Sequence, residues 1–108
     1  MNRKKITLIG GGQIGGNLAL LSVQKELGDI LIFDIPKADG MVKGKALDIM
    51  QLRPHDGFDS NIEGSSDWKD VRDSDVFIIT AGIPRKPGMS RDDLLEINLE
   101  IISNLAKN

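Results

Sequence analysis

Gly10-Gly11-Gly12-Gln13-Ile14-Gly15 fits the pattern G-x-G-x-x-G, a spacing that can hold a diphosphate. Gly10 allows a tight turn. Gly12 has no Cβ, so a pyrophosphate can approach the backbone, and Gly15 lets a helix pack close to the strand before it. A helix opening here presents free amides and partial positive charge to phosphate oxygens. Asp34 follows 19 residues after Gly15. A carboxylate there is placed to accept both hydroxyls of an adenine ribose and to repel a 2′-phosphate. The combination points to NAD rather than NADP. A P-loop would need Gly-Lys-Ser/Thr in the same turn, and no lysine follows before Lys25. The plainer alternative is a glycine turn that only bends strand into helix, with Asp34 a loop acid.

A second constellation lies in Ile83-Pro84-Arg85-Lys86-Pro87-Gly88-Met89-Ser90-Arg91. Arg85 and Arg91 are six apart, and a guanidinium pairs bidentately with a carboxylate. Two of them suit an anionic substrate such as a dicarboxylate. Proline and glycine supply hinges for a loop that could close over it. The alternative is a solvated basic loop.

Alternating strands and helices must position these groups. Ile6–Ile9 and Ile30–Phe33 read as buried strands, the first running into the glycine turn and the second into Asp34. Between them Ile14 to Leu27 reads as a helix, with Ile14, Leu18 and Leu21 on one face and Gly28 as a left-handed stop. Residues 35–41 read as a loop, and a helix follows from about Val42 to Leu52. Asn61 to Ser65 is a weaker strand, and a short helical turn is expected around Trp68 and Val71. Val76–Ile79 is a strong strand ending in Thr80-Ala81-Gly82. Ligands on open parallel sheets bind at such carboxyl ends. Ser90 to Asp93 reads as a capping box opening a last helix with Leu94, Ile97, Ile101 and Leu105 in line. The fold expected is an α/β Rossmann-type parallel sheet with helices on both faces. Its order is third, second, first, fourth strand, with Val76 to Thr80 at an open edge.

Composition narrows the classes. The 108 residues suffice for one domain, so 1–108 is read as a single dinucleotide-binding unit. With no cysteine there is no disulfide, thiolate metal site or thiol nucleophile. Fourteen basic against 16 acidic residues leave a net charge of −2, which argues against a nucleic-acid binder. The basic start followed by an uncharged stretch up to Lys25 imitates a signal peptide or membrane span. Five glycines with Gln13, Asn17 and Gln24 interrupt it, and its longest wholly apolar run is Leu18 to Leu21. No membrane segment is therefore expected, and Arg3-Lys4-Lys5 reads as a solvated lead-in.

Some residues tempt. His55 adjoins Asp56, but neighbours in sequence rarely point at one another, and Pro54 to Gly57 reads as a surface turn. Asp67, Asp70, Asp73 and Asp75 lack an EF-hand's spacing and read as a solvated face, so no metal is expected. Trp68 reads as packing under its short turn.

Nearly the whole chain resembles the N-terminal half of the lactate/malate dehydrogenase family. The matching segments are Lys5-Ile6 through Gly15-Gly16, Leu31-Ile32-Phe33-Asp34, Gly44-Lys45-Ala46-Leu47-Asp48, Ser74-Asp75-Val76 through Ala81-Gly82, and Arg85 through Asn98. The most specific, Pro84 through Leu94, resembles the malate branch. The resemblance implies an oxidoreductase of the tricarboxylic acid cycle, transferring hydride reversibly between malate/oxaloacetate and NAD. It implies that Arg91 is catalytic, polarising the substrate carbonyl as the loop closes, and that Arg85 pairs with the second carboxylate. Cofactor contacts are expected from Gly10, Gly11, Gly12, Gln13, Ile14, Gly15, Asp34, Thr80, Ala81 and Gly82, and from Asn98 near the nicotinamide ribose. A cytoplasmic homo-oligomer, dimer or tetramer, is implied for a full-length parent.

Two departures matter. Between Asp34 and Gly44 the chain is about two residues longer than the family's loop, which reads as a local insertion beside the adenine pocket. The family's catalytic histidine, its aspartate partner and a second carboxylate-binding arginine belong to later sequence. The chain is thus read as truncated within or just after its last helix, lacking the C-terminal catalytic domain and inactive alone. Rival readings are a non-catalytic dinucleotide-binding module, another Rossmann dehydrogenase, or an NAD-dependent glycosidase, against which the paired arginines speak.

Overall fold

Three short apolar runs and one mixed segment form the strands: β1 Lys5–Ile9, β2 Asp29–Phe33 and β4 Val76–Ile79, with β3 Ile62–Ser65 as the mixed one. They make one all-parallel sheet in the expected order β3-β2-β1-β4. The helices are α1 Gln13–Gln24, α2 Asp39–Met50, the single turn α3 Arg53–Asp56 and α4 Arg91–Lys107. Short 3-10 turns occupy Pro36–Ala38 and Trp68–Val71. The computed structural model describes residues 4–81, 87, 88 and 90–107, with backbone only at 55, 56, 104, 105 and 107.

Alternation along the strands divides the core. Ile6, Leu8, Ile30 and Ile32 face α1 and α2, where they meet Ala19, Val23, Val42, Ala46 and Ile49. Ile9, Leu31 and Phe33 face the other way and meet Val71. Trp68 lies over Phe33 with ring centroids 4.3 Å apart, as packing for its short turn. Buried Thr7 is satisfied on that second face by the Ser74 hydroxyl, which itself donates to the Val71 carbonyl. The aspartates nearby make local ties: Asp67 caps the turn by accepting from the Lys69 amide, Asp70 accepts from Ser65, and Asp75 accepts from the Lys5 amide.

Four helical expectations need correction. The buried face of α1 is Gly15, Ala19, Ser22 and Val23, while Ile14 and Leu21 are 67% and 50% exposed. Small side chains face inward because α1 lies almost on the sheet. The left-handed residue after α1 is Glu26 (φ 53°), not Gly28. The Leu27 amide donates to the Ser22 carbonyl and the Glu26 amide to Val23, a Schellman ending two residues early. Gly28 serves a different need, since a Cβ there would stand 2.4 Å from the Lys4 carbonyl oxygen. The segment read as loop 35–41 is partly helical, because Pro36 starts a 3-10 turn that runs into α2 at Asp39. The turn read at Pro54 to Gly57 is the helical turn α3, closed by Gly57 at φ 73°.

β4 forms one edge of the sheet, with Phe77 and Ile79 about half exposed (50% and 49%). An unpaired apolar edge recruits another chain. The purified 108-residue chain is expected to self-associate, with an apparent mass in sedimentation velocity that rises with concentration. A monomer at every concentration would contradict that expectation.

Candidate cofactor site

The carboxyl ends of β1, β2 and β4 open into a crevice of about 290 Å³. Gly10, Gly12, Asp34, Thr80 and Ala81 line it together, so the structure joins five of the residues assigned to the cofactor. Ile35, Met41 and Ile101 add apolar wall. None of these three was expected there: Ile101 is a helix-stripe residue by spacing, and only the fold brings α4 over the crevice. A larger recess of about 660 Å³ at the opposite strand ends has Lys5, Asp29, Glu63 and Asp70 on its walls. It lacks a glycine turn and a helix start, so the chemistry of a diphosphate favours the smaller crevice.

The glycine turn is built for close approach. Gly10 has φ +115°, a conformation that L side chains rarely adopt, and hangs from β2 through its amide to the Phe33 carbonyl at 2.8 Å. A Cβ on Gly15 would lie 1.9 Å from the Gly10 carbonyl oxygen, so α1 could not begin this near β1 with any other residue. A Cβ on Gly12 would meet nothing within 4 Å, because that side faces open space. Gly12 is the N-cap of α1, with no side-chain cap and no acid in the first turn. The first amides of α1 are therefore left for an anion. The Thr80 hydroxyl donates to the Gly10 carbonyl at 3.2 Å, tying β4 to the turn.

Asp34 sits at the end of β2, half-buried. Its Oδ2 accepts from the Gly11 amide at 2.9 Å and its Oδ1 from the Ile35 amide at 2.8 Å. These bonds aim the carboxylate and leave lone pairs for a diol. Below it, Asp39 opens α2 with an ion pair to Lys43 at 2.9 Å and accepts from Ser66 at 2.8 Å. Hydrogen bonding from Lys43, and then from Ser66, holds the Asp39 carboxyl below its usual value; the same pairing raises Lys43.

The remaining assigned residues lie apart from the crevice lining. Gln13 lines a groove between α1 and α2, with Asn17, Lys45 and Asp48. Ile14 is exposed, and Gly11 and Gly15 are buried behind the turn. Asn98 is half-buried on α4, one turn before Ile101. Arg91 is the exposed first residue of α4. The capping box forms as expected: the Asp93 amide donates to the Ser90 hydroxyl at 3.1 Å and the Ser90 amide to Asp93 at 3.3 Å. Gly82 and Arg85 lie outside the described residues.

The family model for the lactate/malate dehydrogenase NAD-binding domain matches residues 4–108. The chain belongs to the lactate/malate dehydrogenase family. Within this dehydrogenase family it is 69% identical, over 98% of its length, to a malate dehydrogenase of Myxococcus xanthus. A malate dehydrogenase of Francisella tularensis is 55% identical over 99% of the chain. The chain spans about a third of these relatives, 34% and 33%. Among solved structures, the malate dehydrogenase of Cryptosporidium parvum superposes with a TM-score of 0.87 at 48% identity, covering 96% of this chain and 32% of that one. The lactate dehydrogenase of the same organism, complexed with lactic acid and NAD, gives 0.88 at 43% identity, covering 99% and 33%.

Proposed function

We propose that this chain supplies the NAD site and the substrate-closing loop of a malate dehydrogenase, which interconverts malate and oxaloacetate. The observation that carries the NAD site is the crevice itself. An uncapped helix start, a cradle that a Cβ at Gly12 would enter, and a carboxylate aimed by two backbone amides converge at the carboxyl ends of parallel strands. Gly12 and the first amides of α1 hold the diphosphate, Asp34 accepts the adenine-ribose hydroxyls, and Ile35, Met41 and Ile101 cover the base. Thr80 and Ala81 wall the nicotinamide side, with Asn98 toward its ribose. Bound there, NAD supplies the hydride acceptor.

The substrate assignment rests on Arg85 and Arg91 and is supported by the names of the relatives at 69% and 55% identity. Arg85 neutralises the carboxylate that distinguishes oxaloacetate from pyruvate, and Arg91 polarises the carbonyl. Gly88, at φ +85°, gives the loop a backbone bend that few other residues would take. No helix among the described residues is long and apolar enough to cross a membrane. A cytoplasmic homo-oligomer remains our reading of the whole enzyme.

Asp34 supplies the test. Asp34→Ala removes the ribose acceptor and also frees the Gly11 amide, so part of the loss falls equally on NAD and NADP. The ribose contact is the difference between them. A hydrogen bond to a charged group is worth roughly 1.5–3 kcal/mol, so NAD affinity is expected to fall about tenfold or more beyond any loss for NADP. Calorimetric titration with both dinucleotides measures it, and equal losses would remove Asp34 from the ribose.

A further inference from the structure

Lys45 reaches the glycine turn from a different element. It stands on α2, half-buried, and its stem runs past Gly16, where a Cβ would lie 3.5 Å from its Cδ and Nζ. Its ammonium donates to the Gly11 carbonyl at 2.6 Å and to the Gly12 carbonyl at 3.2 Å. The Gly12 carbonyl also accepts the first α1 hydrogen bond, from the Gly16 amide at 2.8 Å.

We propose that Lys45 is a positioning residue for the cofactor's diphosphate. The peptide unit is planar and trans, so a carbonyl and the amide that follows it point in opposite directions. Fixing the Gly11 oxygen fixes the direction of the Gly12 amide, and fixing the Gly12 oxygen fixes that of Gln13. Lys45 therefore pulls two carbonyls away from the crevice and turns the next two amides toward it. The two carbonyls it holds belong to a run of glycines, whose backbone would otherwise wander most. The ammonium also adds a full positive charge behind a helix start that carries no acid in its first turn. It sits on the carbonyl side and works through the turn, without touching phosphate. This inference rests on reading the turn as the NAD site.

The test compares ligands with and without the diphosphate. NADH, ADP-ribose and adenosine are titrated against the protein and its Lys45→Met and Lys45→Arg variants. Methionine keeps the stem and removes the charge and both donors. Lys45→Met is expected to weaken NADH and ADP-ribose about tenfold and to change adenosine by less than about twofold, whereas Lys45→Arg stays within about threefold of the parent. Equal losses for adenosine and ADP-ribose would mean that Lys45 only holds the fold together, and unchanged ADP-ribose binding would mean that it does nothing for the diphosphate; either result overturns the proposal. Failure of the unsubstituted protein to bind NADH or ADP-ribose would instead overturn the NAD site itself, and this proposal with it.

Discussion

Arg85→Gln, made in a full-length protein that includes this sequence, is expected to invert the keto-acid choice proposed for it. A guanidinium enclosed with pyruvate would face a methyl group and stay unpaired, and an unpaired enclosed charge is heavily penalised. Sites built around a polar partner reject an analogue lacking it by ~10⁴ or more. Glutamine removes that penalty and the attraction together, so oxaloacetate reduction falls steeply while pyruvate reduction rises. Arg91→Gln should depress both substrates, because the carbonyl it is assigned to is present in each. Steady-state reduction of both acids by both variants is the measurement. An unchanged oxaloacetate-to-pyruvate ratio in Arg85→Gln would return Arg85 to the solvent. The 108-residue chain, whose only histidine is His55, is expected to turn over neither acid.

Methyl groups added at Gly12 and at Gly15 are expected to fail in opposite ways. At Gly15 the new Cβ would stand 1.9 Å from the Gly10 carbonyl oxygen, a backbone atom that moves only if α1 leaves β1. Overpacking against backbone costs about 3 kcal/mol or more, enough to lower Tm by roughly 10–20 °C in a domain this size. At Gly12 the Cβ meets nothing, and the entropy gained is offset by alanine's poorer fit at an N-cap, so Gly12→Ala should melt within a few degrees of the parent. It would nonetheless stand where the diphosphate approaches. Losing two charge-assisted hydrogen bonds of roughly 1.5 kcal/mol each weakens NADH about a hundredfold. Thermal denaturation and NADH titration of the two variants separate fold from site. A Gly12→Ala protein with full NADH affinity would place the cofactor elsewhere.

The strands were legible almost to the residue. Ile6–Ile9, Ile30–Phe33 and Val76–Ile79 are β-branched runs buried or paired where they stand, and nothing competes with that reading. The crevice was legible for the same reason, since glycine turn, Asp34 and Thr80-Ala81 all follow strand ends. The inner face of α1 was not. Periodicity weighs large apolar residues such as Ile14 and Leu21, but Gly15 brings the helix so close that only Ala19, Ser22 and Val23 fit beneath it. Gly28 misled because glycine's commonest role after a helix is left-handed, whereas here it clears the Lys4 carbonyl. Lys45 stands in a segment that carries the family resemblance, but nothing in that segment pointed to the glycine turn. A lysine on an amphipathic helix looks solvated, and its tie to Gly11 spans 34 residues of sequence.

The strand order also sets a schedule for synthesis. β1 is one of the two inner strands, and its partners emerge at different times: Ile6 pairs with Ile30 on one side and with Val76 on the other. On a ribosome adding about 5–20 residues per second, β4 arrives roughly 4–14 s after β1 has left the tunnel. Through that interval the flank of β1 that β4 will occupy is an unpaired apolar template in the nascent chain. A holdase at the tunnel exit would find its first extended client segment there, around Ile6 to Ile9, and would have to release it when Val76 to Ile79 appear.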